Sequence, residues 1–262
     1  MNSSKLAIAD FVDGFNSKAI WVSLGWFEIQ QRYRRSIIGP FWLTLSMGIM
    51  IVTMGPLYSQ LFGISLNGYF QYLALGIILW NLISSLITDF CNAFISAQGY
   101  ITQIKLPYSI YIYRVIWKNI IIFFHNLVVF LLILPFFPIS MSWNILLSIL
   151  GLLIVILNLT WVGLLLAMIC ARFRDVTQIV GSIMGIAFFM TPIFWDKKMA
   201  MGRSFILELN PFYHLIEIMR APLLDGAVSS QSWIFCLAML LVGLPVSVYL
   251  FSCYRTKIPY WL

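Results

Sequence analysis

Mostly apolar runs of 19 or more residues recur six times along the chain, at 38–62, 69–95, 110–134, 143–169, 176–194 and 230–253. A helix needs about 20 such residues to cross the hydrocarbon core of a bilayer. Polar positions are few inside the runs and gather at their ends. The pattern predicts an all-α membrane protein with six transmembrane helices, and an even number of crossings returns both termini to one side.

Three connections carry patterns of their own. Ahead of the first run, Ile20, Trp21, Leu24 and Phe27 share one helical face, with Lys18, Ser23, Glu28 and Gln31 around the rest and Trp26 and Ile29 blurring the division. This 18–31 segment is expected to lie as a helix in the membrane interface, where tryptophan settles well; the alternative is a solvated tail. Between the second and third runs, residues 96–108 place Tyr100, Ile101 and Ile104 on a short turn of helix beside Lys105, ended by Pro107. Apolar side chains exposed in such a loop need cover, from a partner or from the bundle itself. After the fifth run, residues 195–230 are too polar to cross. Asn210 and Pro211 make an N-cap and first-turn pair, and Phe212, Leu215, Ile216 and Met219 repeat at helical spacing before Pro222. Short amphipathic helices dipping back into the outer leaflet are expected there.

Composition agrees with the runs. With 61% hydrophobic and 10% charged residues, the chain has more apolar surface than a soluble core could hide. A net charge of +7 would in a soluble chain point to nucleic acid. Here the cations sit at the ends of the runs, which favours anchoring and leaves nucleic acid out as a partner. Of sixteen Lys and Arg, all but Lys197, Lys198, Arg203 and Arg220 fall on the side of the termini, and Asp196, Glu208, Glu217 and Asp225 offset those four. The positive-inside rule therefore puts both termini in the cytoplasm. Asp10, Asp13 and Glu28 argue against a cleavable signal peptide.

Catalytic patterns are missing. HExxH, GxSxG and DxD do not occur, Cys91, Cys170, Cys236 and Cys253 have no metal spacing, and no catalytic or metal-binding residue is expected. His125, beside Asn126 inside the third run, is expected to bond between helices rather than relay protons, and His214 lies on the other side of the membrane plan. There is no GxxxxGK[ST] phosphate loop, so energy for transport must come from a partner or a gradient. Gradient-driven carriers place charges deep in their spans. In this chain Asp89, Arg114 and Lys118 lie near span ends, and ion coupling is not expected.

Two residue groups stand out for the contacts they can offer. Arg32, Arg34 and Arg35, with Tyr33 among them, stand directly before the first run. Guanidinium forks bind phosphate oxygens bidentately, although the same residues also serve as plain anchors. Trp42, Tyr58, Trp80, Phe188 and Phe189 are candidate channel-lining aromatics, since ring faces stack on sugars; lipid-facing packing is the other reading.

With these segments placed, the chain resembles the membrane subunit of ABC-2 type exporters, specifically the Wzm-type permease of O-antigen polysaccharide export. The resemblance runs through RYRRSIIGPFWLTLSMGI at 32–49, QIKLPYS at 103–109, ARFRDVTQIV at 171–180, TPIFW at 191–195 and LNPFYHLIEIMRAPLLDG at 209–226. It implies a single ABC-2 type transmembrane domain over 1–262, acting as a homodimer with a channel between the copies. Two copies of a Wzt-like ATPase would bring ATP and Mg, with no cofactor in this chain and no enzymatic activity of its own. Residues 96–108 would be the coupling helix, 18–31 the interfacial helix and 203–224, with Asn210, Pro211, Phe212 and Tyr213, the outer re-entrant gate. The cargo would be a polysaccharide on undecaprenyl diphosphate, moved across the bacterial inner membrane during lipopolysaccharide biosynthesis. Capsule, teichoic acid or lipid and drug export on the same fold are alternatives. A membrane glycosyltransferase or polymerase would need a clustered acid pair or a nucleotide-sugar site, and neither is found.

Overall fold

The computed structural model describes residues 3–34, 36–39, 41–139, 143–197, 204–224, 226 and 228–262. Among them the chain is helical, with no strand. Arg35, Lys198, Arg203 and Asp225 lie outside the described residues.

Five helices are long and apolar enough to cross a membrane: α3 (Phe41–Phe62), α4 (Leu66–Cys91), α6 (Ser109–Ile133), α7 (Ile145–Arg172) and α11 (Ser230–Tyr254). Each agrees with an expected run to within a few residues. In α4 the regular helix starts at Tyr69, because Asn67 is extended and Gly68 has φ +86°, a conformation that a Cβ would strain. The expected crossing at 176–194 is shorter as a helix. Helix α8 (Val176–Met190) has 15 residues and so spans only about 22 Å. Pro192 explains the stop, because a residue before proline avoids the helical region, and Thr191 is extended at φ −95°, ψ 137°.

Helix α4 is the central post, buried along most of its length against α3, α6, α7 and α8, whereas α3, α8 and α11 leave much of their apolar surface uncovered. Polar side chains tie the spans where water is absent: Asn126 Nδ2 donates to Asn81 Oδ1 at 3.2 Å and Asn158 Nδ2 to the Cys236 carbonyl at 3.1 Å. The Asn126 bond is the interhelical one expected of His125. His125 instead turns its Nδ1 to the Ile121 carbonyl of its own helix at 2.9 Å. Cys91, Cys170 and Cys236 are buried free thiols, and Cys253 is an exposed one.

Two helices precede the spans. Helix α2 (Lys18–Tyr33) is the expected 18–31 helix, but it is turned differently. It lies on α6 through Trp21, Gly25, Glu28 and Ile29, and exposes Ile20, Trp26 and Phe27. Helix α1 (Ser3–Asn16) does not follow from the apolar pattern. It inserts between α6 and α11, burying Ala7, Asp10 and Gly14. Asp10 accepts from the backbone N–H of Tyr108 at 3.2 Å and of Ser109 at 3.0 Å, capping the start of α6 from another helix, and pairs with Arg255 at 3.3 Å. Both chain termini thus lie at one end of the bundle, here the terminal end. With them are α5 (Gln98–Gln103) and α12 (Ile258–Trp261), the Leu262 carbonyl accepting from Gln98 and Arg174. The opposite, far end carries the start of α4 and the C-terminal end of α10 (Pro211–Leu224), which α9 (Ser204–Glu208) precedes.

Candidate functional site

At the terminal end the residues expected at span ends join Glu28 in a partly buried ionic ladder. Glu28 of α2 takes Arg114 at 2.9 Å with one oxygen and Lys118 at 3.1 Å with the other, and Lys118 reaches on to Asp89 at 2.9 Å. Asn119 donates to the same Asp89 oxygen at 2.8 Å, and Arg114 also binds the Ala93 carbonyl at 3.2 Å and Ser96 Oγ at 2.9 Å. Two cations and two carboxylates cancel, so the buried Arg114 and Lys118 are paired rather than bare. The ladder links α2 to the last turn of α4 and to the connection that leads into α5. Two deep cations facing one Asp already required a second acid, and Glu28 is the one that sequence reasoning left on the polar face.

The expected entrance residues gather beside this ladder. Arg32 and Tyr33 line a cavity of about 410 Å³ with Glu28 and Lys118. Arg34 opens on a neighbouring one of about 610 Å³ with Trp26 and Phe27. In the expected coupling segment, Tyr100 and Ile104 are exposed, 49% and 51%, and Lys105 is exposed with them. Ile101 turns inward and packs partly on the core.

Aromatic candidates fall into two sets. Trp80 lies under Phe188 at 5.8 Å and Phe212 at 5.5 Å, Tyr58 meets Phe194 at 5.1 Å, and Phe194 joins Phe188 and Phe189. Trp80 is thereby enclosed, while Phe189 stays largely exposed at the edge of the cluster. Trp42 stands apart from it, exposed on α3.

Beyond α8 the chain runs along α4 without helical bonds. Its carbonyls are taken by neighbouring side chains instead. Tyr72 Oη donates to Pro192 and Trp195, both at 3.1 Å, Tyr69 Oη to Phe194, and Arg220 Nη1 to Pro192 at 2.8 Å. Gly76 allows this approach, since a Cβ there would meet the Ile193 carbonyl at 2.7 Å. Asn210 caps α10 as expected, accepting from the Phe212 N–H at 2.9 Å, and its amide holds Thr191 Oγ1 at 3.0 Å. The amphipathic reading of α10 is incomplete, for the helix is enclosed from Tyr213 to Pro222. Its polar residues are paired inside. His214 Nε2 faces the Glu208 carbonyl at 2.8 Å, so it carries the proton, and Nδ1 accepts from Ser232 at 3.0 Å. Glu217 binds Arg220 at 3.1 Å and Lys197 at 2.9 Å, with Arg220 stacked on the Tyr72 ring at 3.9 Å. Burial alone would raise the Glu217 pKa, but the charges and hydrogen bonds of Arg220 and Lys197 outweigh it and hold the carboxyl below its ordinary range.

Among the described residues, no group of three or more His, Cys, Asp or Glu side chains is placed to hold a metal. Residues 20–224 match the ABC-2 type transporter family. The chain is also 22% identical, over 79% of its own length and 81% of the relative's, to the O-antigen export system permease protein RfbA of Myxococcus xanthus.

Proposed function

Because the chain belongs to the ABC-2 type transporter family, we propose that it is the channel-forming membrane subunit of an ATP-driven exporter of lipid-linked polysaccharide, of the Wzm type. The cargo is an O-antigen chain on undecaprenyl diphosphate, carried from the cytoplasmic to the periplasmic side of the bacterial inner membrane. The likeness to an O-antigen export permease across four-fifths of both chains supports that substrate class. The terminal end is cytoplasmic in this reading, consistent with its share of the cations.

Helix α8 and residues 191–195 together make the fifth of six crossings. Contacts support this path: Phe188 and Phe212 both touch Trp80, whereas Phe194 and Trp195 bond Tyr69 and Tyr72, some two to three turns further toward the far end of α4. Helix α10 then starts near the middle of the bundle and returns outward, as a re-entrant gate does. A second copy packs on α8, which has open space over Gly181 and Gly185, a spacing that lets helices approach closely. Arg32 and Tyr33, with Arg34 and Arg35, receive the diphosphate head group.

The observation that carries the ATP-driven reading is the exposed Tyr100 on α5 and Ile104 directly after it, beyond the ionic ladder that runs back through α4 and α6 to α2. Two copies of a Wzt-like ATPase dock there. Tyr100→Asp with Ile104→Asp should release the ATPase on co-purification and abolish surface polysaccharide, with the thermal unfolding of the purified permease unchanged. Unaltered co-purification would remove the docking assignment.

A further inference from the structure

At the far end, the proposed transport path leaves unused a cavity of about 430 Å³ between the start of α4, residues 138–139 and the C-terminal half of α10. Glu217 and Arg220, 4% and 2% exposed, line it as a bonded pair, and Asp196 and Lys197 complete the lining on that side. Two acids and two bases give a wall rich in local polarity but without net charge. A free anion or cation would meet a like charge there, which is how a site rejects a partner. Beside these groups stand the Tyr69 and Tyr72 rings, and Pro138, Ile139 and Leu224 add apolar surface.

Gln71 makes the site more than a polar hollow. It lines the cavity yet is only 2% exposed. Its amide nitrogen donates to the carbonyls of Phe137 at 3.1 Å and Pro138 at 3.4 Å. Its Oε1 is buried without a hydrogen-bond partner among the described residues. Such an acceptor is satisfied when the side chain turns into the cavity and meets a donor such as a hydroxyl. A molecule with many hydroxyls, an apolar ring face and no charge meets each of these features, and a neutral sugar has them all.

We propose that this cavity binds one uncharged saccharide unit at the far end of the bundle. The ligand's class rests on the glycan-export reading, and its neutrality on the lining alone. Binding needs no ATPase, so it can be measured on the purified full chain in detergent by saturation-transfer NMR. Maltotriose, mannotriose and chitotriose are the probes, with trigalacturonate and spermidine as charged comparators. At least one neutral trisaccharide should bind saturably, the charged compounds should not compete with it, and Leu224→Trp and Asn67→Leu should each weaken binding at least fivefold at unchanged thermal stability. Binding by none of the three, tighter binding of trigalacturonate, or full binding in both variants would overturn the site. Failure of export in cells alongside retained binding would count against the export reading alone.

Discussion

Gly76 illustrates how one residue decides a backbone path. An alanine there would gain up to about 1 kcal/mol of helix propensity. It would also push into the Ile193 carbonyl, 2.7 Å from the new Cβ. Backbone yields less readily than a side-chain tip, and overpacking of this kind costs about 1–3 kcal/mol. Gly76→Ala should therefore lower the thermal unfolding midpoint of the purified protein, with a stabilised variant ruling out the contact. Glu217 makes a different demand. Its folded pKa lies below the ordinary 4.5, so the stability it contributes is complete above that value and is lost as pH falls through the lowered one. The unfolding midpoint of wild type minus that of Glu217→Gln should accordingly be flat from pH 8 to 5 and shrink toward pH 3. The Asn210–Pro211 cap could be read directly from the residues because both act on their own neighbours. Gln71 and Glu28 could not, since their partners come from distant parts of the chain and no local pattern marks them.

At the scale of elements, the apolar runs located the five long helices to within a few residues. They failed at α8 and α1 for opposite reasons. In the first case the run continues through Pro192 to Phe194 while the helix does not, so hydropathy overstates helical length. In the second, α1 buries Ala7, Asp10 and Gly14 and exposes Ile8, Val12 and Phe15, the reverse of an amphipathic code. Small residues face inward because α6 is very close: a Cβ on Gly14 would meet Ser109 Oγ at 2.0 Å. Asp10 replaces apolar contact with three polar ones. Asp10→Ala strips two N–H groups of their acceptor and Arg255 of its counter-ion, and should cost about 1–3 kcal/mol. Faster amide exchange at Tyr108 and Ser109 in that variant is the measurement that checks it.

For the whole molecule the orientation is the property to test. Single cysteines at Asn67 and Ser230 should react with impermeant thiol reagents from the periplasm, and at Gln103 and Thr256 only from the cytoplasm, in a background where the exposed Cys253 is replaced. Labelling of Gln103 from outside would invert the assignment. The distribution of cations along the chain is enough to raise this expectation. The arrangement of the terminal end is not legible in the same way, because it depends on residues from both ends of the chain meeting. Asp10 bears on the order of synthesis. Of its partners, Arg255 is the last to leave the ribosome, and until α11 has been made the carboxylate lacks its counter-ion. A chain stalled or truncated before that point keeps open the seam that α1 makes with α11. The seam would mark unfinished copies for membrane proteases, making this ion pair a check that synthesis had passed α11.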